Sequence, residues 1–294
     1  MSTGRIRDRL AALRDEPISL VGAFQAIGLT AFVSTILLVT LFPLYWTLNT
    51  SFKPADATVS ATPTFFPVNF TIEGYVNVLF ESGAIDNLIN SLVVSVGATV
   101  LALLVGVPAG YAYARNPDRV GGKHVAFWIL SIRMFPPIAP IIPFFFIFRE
   151  LNLIDTFPAM FLLYMTFNVP LTVWLMRSFF QDIPQAVEEA ALIDGYSRFQ
   201  AFYKVALPLV SPGLVATTLL VWLFSWNEFQ FALVFTRSAT RTFPPLITVL
   251  VGGHATLWNQ IAALSTMAML PVIAIALLMQ KRLIRGLTLG AVKG

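Results

Sequence analysis

Within "EEAALIDGYSRFQAFYKVALP", residues 188–208, a few residue types recur at fixed spacing. Glu189-Ala190-Ala191 is followed after three residues by Gly195, then after nine by Val205, one further residue and Leu207-Pro208. Acidic side chains next to alanines break no bonds. They offer a charged contact on a face that another protein can approach closely, with Glu188 and Asp194 as further charges on the same stretch. A second set of polar residues lies inside apolar runs: Asn90, Arg133, and Asn227-Glu228 after Trp226. In lipid such groups are costly and mark pathways by default, or else hydrogen-bond to a neighbouring helix. Carboxylate and amide groups suit sugar hydroxyls; Trp226, Phe224 and Tyr164 have rings that stack on a pyranose or simply pack. Other chemistries lack residues. There is no cysteine, hence no disulfide, thiolate metal site or thiol nucleophile. The two histidines, His124 and His254, lie far apart with no clustered carboxylates, so no metal site is expected. "GGKH" at 121–124 has His124 where a phosphate-binding loop needs Ser or Thr, and Pro117 where it needs its first glycine.

The elements that must position these residues are membrane helices. Of the 294 residues, 57% are hydrophobic and only 12% charged, about half the charge of a soluble domain. A span needs about 20 apolar residues to cross ~30 Å of hydrocarbon. Six are expected, at about 26–49, 87–114, 125–148, 156–176, 209–235 and 260–280, in a single domain 1–294 of all-α, polytopic class. Pro136, Pro137, Pro140 and Pro143 are expected to kink the third. The uncharged run 242–280 is too long for one span, and Gly252-Gly253 marks its first part as a loop. Counting ~1.5 Å per residue, Arg133 falls near mid-membrane and Glu228 in the outer half, too far apart in depth for a direct ion pair.

Fourteen lysines and arginines fall on one side of this scheme, four on the other, and Arg133 in the membrane. Cytoplasmic loops carry the excess of positive charge, so both termini are expected in the cytoplasm. Spread over several loops, the net charge of +4 is a topology signal and not a nucleic-acid footprint. The stretch 182–208 is then a cytoplasmic loop between spans four and five. A short helix follows Pro184 and is capped by Gly195. Val187, Ala190 and Ala191 are expected to share one face. A second helix starts at a capping box of Ser197 and Gln200. An interfacial helix lying on lipid would favour Lys or Arg with large apolar residues; the acidic, alanine-faced segment suits a protein partner better.

The Glu189-Ala190-Ala191, Gly195, Leu207-Pro208 spacing resembles the EAA loop of ABC importer permeases, with Val205 in place of the usual Ile. The ending "GLTLGAVKG" (286–294) is similar to the tail of the maltose-type carbohydrate permeases, six-span subunit. "WNEF" (226–229), "RMFPP" (133–137) and "NS" (90–91) resemble the same family. The resemblance implies a coupling helix that docks on a partner ATPase, with Glu189 as the charged contact and Gly195 allowing the turn. Gly290 and Lys293 in the tail would reach the same interface. It implies no cofactor in this chain, Mg-ATP being held by the partner, and no enzymatic activity of its own. The implied partners are a homologous permease, two ATP-binding subunits and an extracytoplasmic sugar-binding protein that docks near Gly252, Gly253 and His254. Transport of a mono- or oligosaccharide by alternating access is the expected function. The alternative is an ion-coupled secondary transporter using Glu228 or Arg133, but such proteins usually carry an internal repeat and none is visible between 26–148 and 156–280.

Overall fold

The computed structural model describes residues 20–60, 62–252 and 257–291, and every regular element among them is helical. Contacts gather into two compact units, one up to Asn49 and one from Thr50 onward. The first unit holds α1 (Leu20–Ser51), whose side chains from Ile27 to Leu44 are exposed on all faces. A helix apolar all round is built for lipid. Two of its hydroxyls turn back on carbonyls four residues earlier, Thr35 onto Ala31 and Thr47 onto Pro43.

In the second unit the long elements are α3 (Ala84–Arg115), α6 (Phe157–Gln181), α9 (Ser211–Trp226) and α12 (Trp258–Ala291). Shorter ones are α2 (Glu73–Phe80), α4 (Gly122–Met134), α5 (Ile141–Glu150), α7 (Gln185–Ile193), α8 (Arg198–Leu209), α10 (Gln230–Phe235) and α11 (Phe243–Val251). Among the described residues, four helices, at Ile27–Ser51, Ala84–Arg115, Phe157–Gln181 and Trp258–Met279, are long and apolar enough to cross a membrane. A fifth is added if α8 and α9, bent by 78° at Val210, count as one.

Three expectations need correction. The third span is not a single helix, because α4 stops at Met134 and α5 starts at Ile141, with Pro136, Pro137 and Pro140 between them. Proline has no N–H to donate and disfavours helix at the preceding residue. The 209–235 segment is likewise broken, after Trp226, and resumes at Gln230. The first part of the run 242–280 is no loop but α11, with Phe243, Leu246 and Leu250 buried against Trp222, Trp226 and Leu264.

The spine of this unit is α3 against α6. A Cβ added at Gly106 would lie 2.6 Å from the Thr172 side chain, and one at Gly110 would lie 3.0 Å from Met176 Cβ. Small residues let membrane helices approach closely where lipid supplies no hydrophobic drive between them. Thr172 cannot swing aside freely, since its hydroxyl is donated to Asn168 O at 2.8 Å.

At one end of the spine the loop 236–242 is held from two sides. Asn90 Nδ2 donates to Ala239 O and Arg241 O, both at 3.1 Å, and Ser91 Oγ accepts from Phe243 N–H at 2.7 Å. Opposite, the Asp155 carboxylate accepts from the N–H groups of Arg237, Ala239 and Thr240 and from the Thr240 hydroxyl, at 2.8–3.0 Å. Burial pushes the Asp155 carboxyl up, but these donors outweigh it and hold its pKa below the ordinary value.

Gly106→Leu is expected to overpack the α3–α6 contact and destabilise the fold by ~1–3 kcal/mol, read as a lower thermal midpoint of the detergent-solubilised protein; an unchanged midpoint would contradict the close approach. For Asp155 the folded pKa is depressed, so its contribution is full above the unfolded value of about 3.9. It is lost as pH falls through the lower folded value. Amide exchange at Arg237, Ala239 and Thr240 should therefore be protected at neutral pH, lose protection on acidification through that window, and be unprotected at all pH in Asp155→Ala. Protection that survives in the variant would show that other contacts hold the loop.

Candidate functional site

Two regions collect the residues singled out from the sequence. The first is α7 and its surroundings. Pro184 precedes the helix, and beyond it Gly195 sits at φ +89°, a left-handed turn that favours glycine. The capping box is present, with Ser197 N–H donating to Gln200 Oε1 at 2.8 Å and Gln200 N–H to Ser197 Oγ at 3.2 Å. Pro208 lies exposed and Leu207 half-buried at the end of α8, just before the 78° bend.

The two adjacent glutamates point in different directions. Glu189 is exposed, along with Ala190 and Asp194, and Ile193 is 86% exposed. Glu188 is buried, paired through Oε1 with Arg115 Nε at 2.9 Å and Nη2 at 2.5 Å, while Oε2 accepts from the Tyr111 hydroxyl at 2.6 Å. Ala191, three residues on, is buried on the same side. The expected face of Val187, Ala190 and Ala191 is therefore divided, because the turn that brings Glu188 to Arg115 takes Ala191 inward with it. Between α7 and the end of α3 is a cavity of about 340 Å³ bordered by Arg115, Glu188, Glu189 and Arg198.

The second region lies between α6 and the two broken helices. A cavity of about 340 Å³ is bordered by Arg133 and Pro137 from the α4–α5 break, by Tyr164 and Asn168 from α6, and by Ser225 and Glu228 near the α9–α10 break. That volume is at the small end for ligand sites. The Arg133 guanidinium lies over the Phe224 ring, 4.2 Å from its centre. Glu228 caps α10, accepting from Phe231 N–H at 3.0 Å and Ala232 N–H at 3.1 Å. The buried Tyr164 hydroxyl lies beside this carboxylate and Thr242. Asn168 Nδ2 donates to Ser225 Oγ at 2.7 Å.

The structure thus brings Arg133, Tyr164, Phe224 and Glu228 to one cavity and leaves three expected pathway residues outside it. Trp226 is 2% exposed, with its indole N–H donated to Ala268 O at 3.2 Å and its ring against Trp222 and Phe243. Asn227 turns back on Leu223 O of its own helix. Asn90 holds the 239–241 loop. In each case a nearer backbone or ring partner occupies the group. Asn168, Arg115 and Tyr111 were not anticipated: Asn168 is an amide inside an apolar run, the same signal as Asn90, whereas nothing local ties Arg115 to Glu188. Gly252 ends α11, its N–H bonded to Thr248 O at 3.1 Å, and Gly290 lies within α12. Gly253, His254 and Lys293 lie outside the described residues.

Residues 102–289 match the family model described as "Binding-protein-dependent transport system inner membrane component". A probable ABC transporter permease, y4oR of Sinorhizobium fredii, is 36% identical over 90% of this chain and 94% of its own. The trehalose transport system permease SugB of Mycobacterium tuberculosis is 35% identical over 86% of this chain and 93% of its own. Among solved structures, a chain of a bacterial ABC transporter that imports the acidic polysaccharide alginate superposes with a TM-score of 0.71 and 26% identity, covering 90% of this chain and 98% of that one. The ion-coupled alternative is thereby set aside, and ATPase and binding-protein partners follow from the family. The chain belongs to the binding-protein-dependent inner membrane components: it is a multi-pass permease subunit of an ABC importer, and not itself the ATPase.

Proposed function

We propose that this permease imports a mono- or oligosaccharide. The observation that carries the reading is the 35% identity, across 86% of the chain, to a permease named for trehalose transport; the overlay on a subunit of an alginate importer points to the same class. The cavity adds chemical support. It combines amide, hydroxyl and carboxylate groups with the Phe224 and Phe231 rings, a lining that suits polyhydroxylated rings.

On this reading there are six spans: α1, α3, the broken α4–α5, α6, the broken α9–α10, and α12, with both termini cytoplasmic. Positive charge on the inner loops supports that orientation. α7 is the coupling helix, and Glu189, Ala190, Asp194 and the Gly195 turn face an ATP-binding subunit. A homologous permease completes the channel. Two ATP-binding subunits hold Mg-ATP, and an extracytoplasmic sugar-binding protein delivers cargo near residues 252–254. The Gly290–Lys293 tail reaches the ATPase side. ATP-driven closure of the ATPase pair moves α7 and opens the cavity outward; hydrolysis resets it.

The test is affinity purification of the tagged chain from gently solubilised membranes, wild type beside Glu189→Lys, with uptake of labelled trehalose, maltose and glucose measured in the same cells. Wild type should retain an ATP-binding subunit. The charge reversal should deplete it ~30-fold or more, the scale of breaking a buried charge-assisted contact. An ATPase retained equally by both would remove Glu189 from the interface, and wild-type uptake of none of the three sugars, no greater than in cells lacking the chain, would overturn the cargo.

A further inference from the structure

We propose that Arg115 and Tyr111 are positioning residues for energy coupling: by clamping Glu188 they make the ATPase-facing helix move as one piece with the end of α3. The proposal rests on the reading of α7 as the ATPase contact. α7 is nine residues long and is joined to α6 by a short turn and to α8 through Gly195 at φ +89°. Held only by those turns and by its packing on α8, where Ala191 is buried, it would pass a push to its chain neighbours alone. Glu188 supplies a third attachment, to a helix 73 residues away in sequence.

That attachment is rigid by construction. Two guanidinium N–H groups of Arg115 meet Oε1, the Tyr111 hydroxyl meets Oε2, and Arg115 Nη2 also reaches Ile183 O, just before α7, at 3.3 Å. The paired side chains are 10% and 9% exposed, so solvent and salt screen them little. The Tyr111 ring packs edge-on to Phe180 at the end of α6, with centres 5.2 Å apart, and against Phe202 of α8 at 4.7 Å. α3, α6, α7 and α8 therefore meet at one cluster. A buried ion pair is weak evidence for stability, since apolar replacements are often as stable. What this one adds is a fixed direction. From Arg115, the last residue of α3, displacement passes into the α3–α6 contact at Gly110 and Gly106, and α6 carries Tyr164 and Asn168 to the cavity.

The complete transporter, reconstituted in liposomes with its ATPase and binding protein, is assayed for sugar moved per ATP hydrolysed. In Arg115→Gln the ATPase should stay bound and hydrolyse while transport per ATP falls about 5- to 150-fold, the usual range for coupling between sites; Tyr111→Phe should fall less. The chain has no cysteine, so Arg115→Cys/Glu188→Cys gives two unique thiols. Bridging them with a bis-methanethiosulfonate linker should restore transport per ATP, and cleaving the linker with reductant should abolish it again. Wild-type stoichiometry in Arg115→Gln overturns the proposal, as does a bridge that restores nothing. Loss of the ATPase from Arg115→Gln also overturns it, because the pair would then build the docking surface and not transmit from it. A wild-type complex that retains no ATPase would instead fail the reading of α7 itself.

Discussion

A backbone N–H freed inside a membrane has no water to bond, so each interruption of a helix there has to be closed by the protein. At the α9–α10 break a carboxylate meets that constraint, and in the loop just beyond the span polar side chains do the same work. Glu228 closes the start of α10 by accepting from Phe231 and Ala232. Asp155 gathers three N–H groups of the 236–240 loop, and Asn90 and Ser91 take the other edge of the same segment. With those contacts in place, the N–H groups of Phe231, Ala232, Arg237, Ala239, Thr240 and Phe243 all have acceptors where the chain leaves helical geometry.

The constraint also shapes the cavity. Both broken helices reach it: α4–α5 contributes Arg133 and Pro137 beside its break, and α9–α10 contributes Ser225 and Glu228 beside its own. A continuous helix presents only side chains, whereas a break opens space and exposes backbone that polar groups must meet. At the α9–α10 break, Glu228, which closes the start of α10, therefore also becomes part of the lining of the space the break creates. α6, unbroken through Pro170, supplies the opposite wall with Tyr164 and Asn168.

These relations explain which features could be read from the residues alone. Glu189-Ala190-Ala191, the Gly195 turn and the Ser197–Gln200 box depend on neighbours within a few positions, so spacing is enough to find them. The breaks after Met134 and Trp226 were harder. Proline marks the first, as a kink more than an interruption; Asn227-Glu228 marks the second, and only as costly polar groups whose capping role emerges once the backbone around Phe231 and Ala232 is folded. Trp226 illustrates the limit. An aromatic beside a carboxylate suggests a sugar platform, yet its burial is decided by Trp222, Phe243 and Ala268, three partners on three elements. Arg115 is further out of reach, since its partner lies 73 residues away.

The pair Glu188-Glu189 shows why adjacent, chemically identical residues need not be redundant. Successive residues on an α-helix are about 100° apart around the axis, so neighbours do not share a face. One carboxylate can be sealed against Arg115 while the next projects from the surface, and one glutamate alone cannot do both. Moving the acid by a single position would either leave Arg115 buried without its counter-charge or remove the exposed carboxylate from the outer face. The doubled acid thus joins an inward anchor and an outward-facing carboxylate on one helix of nine residues.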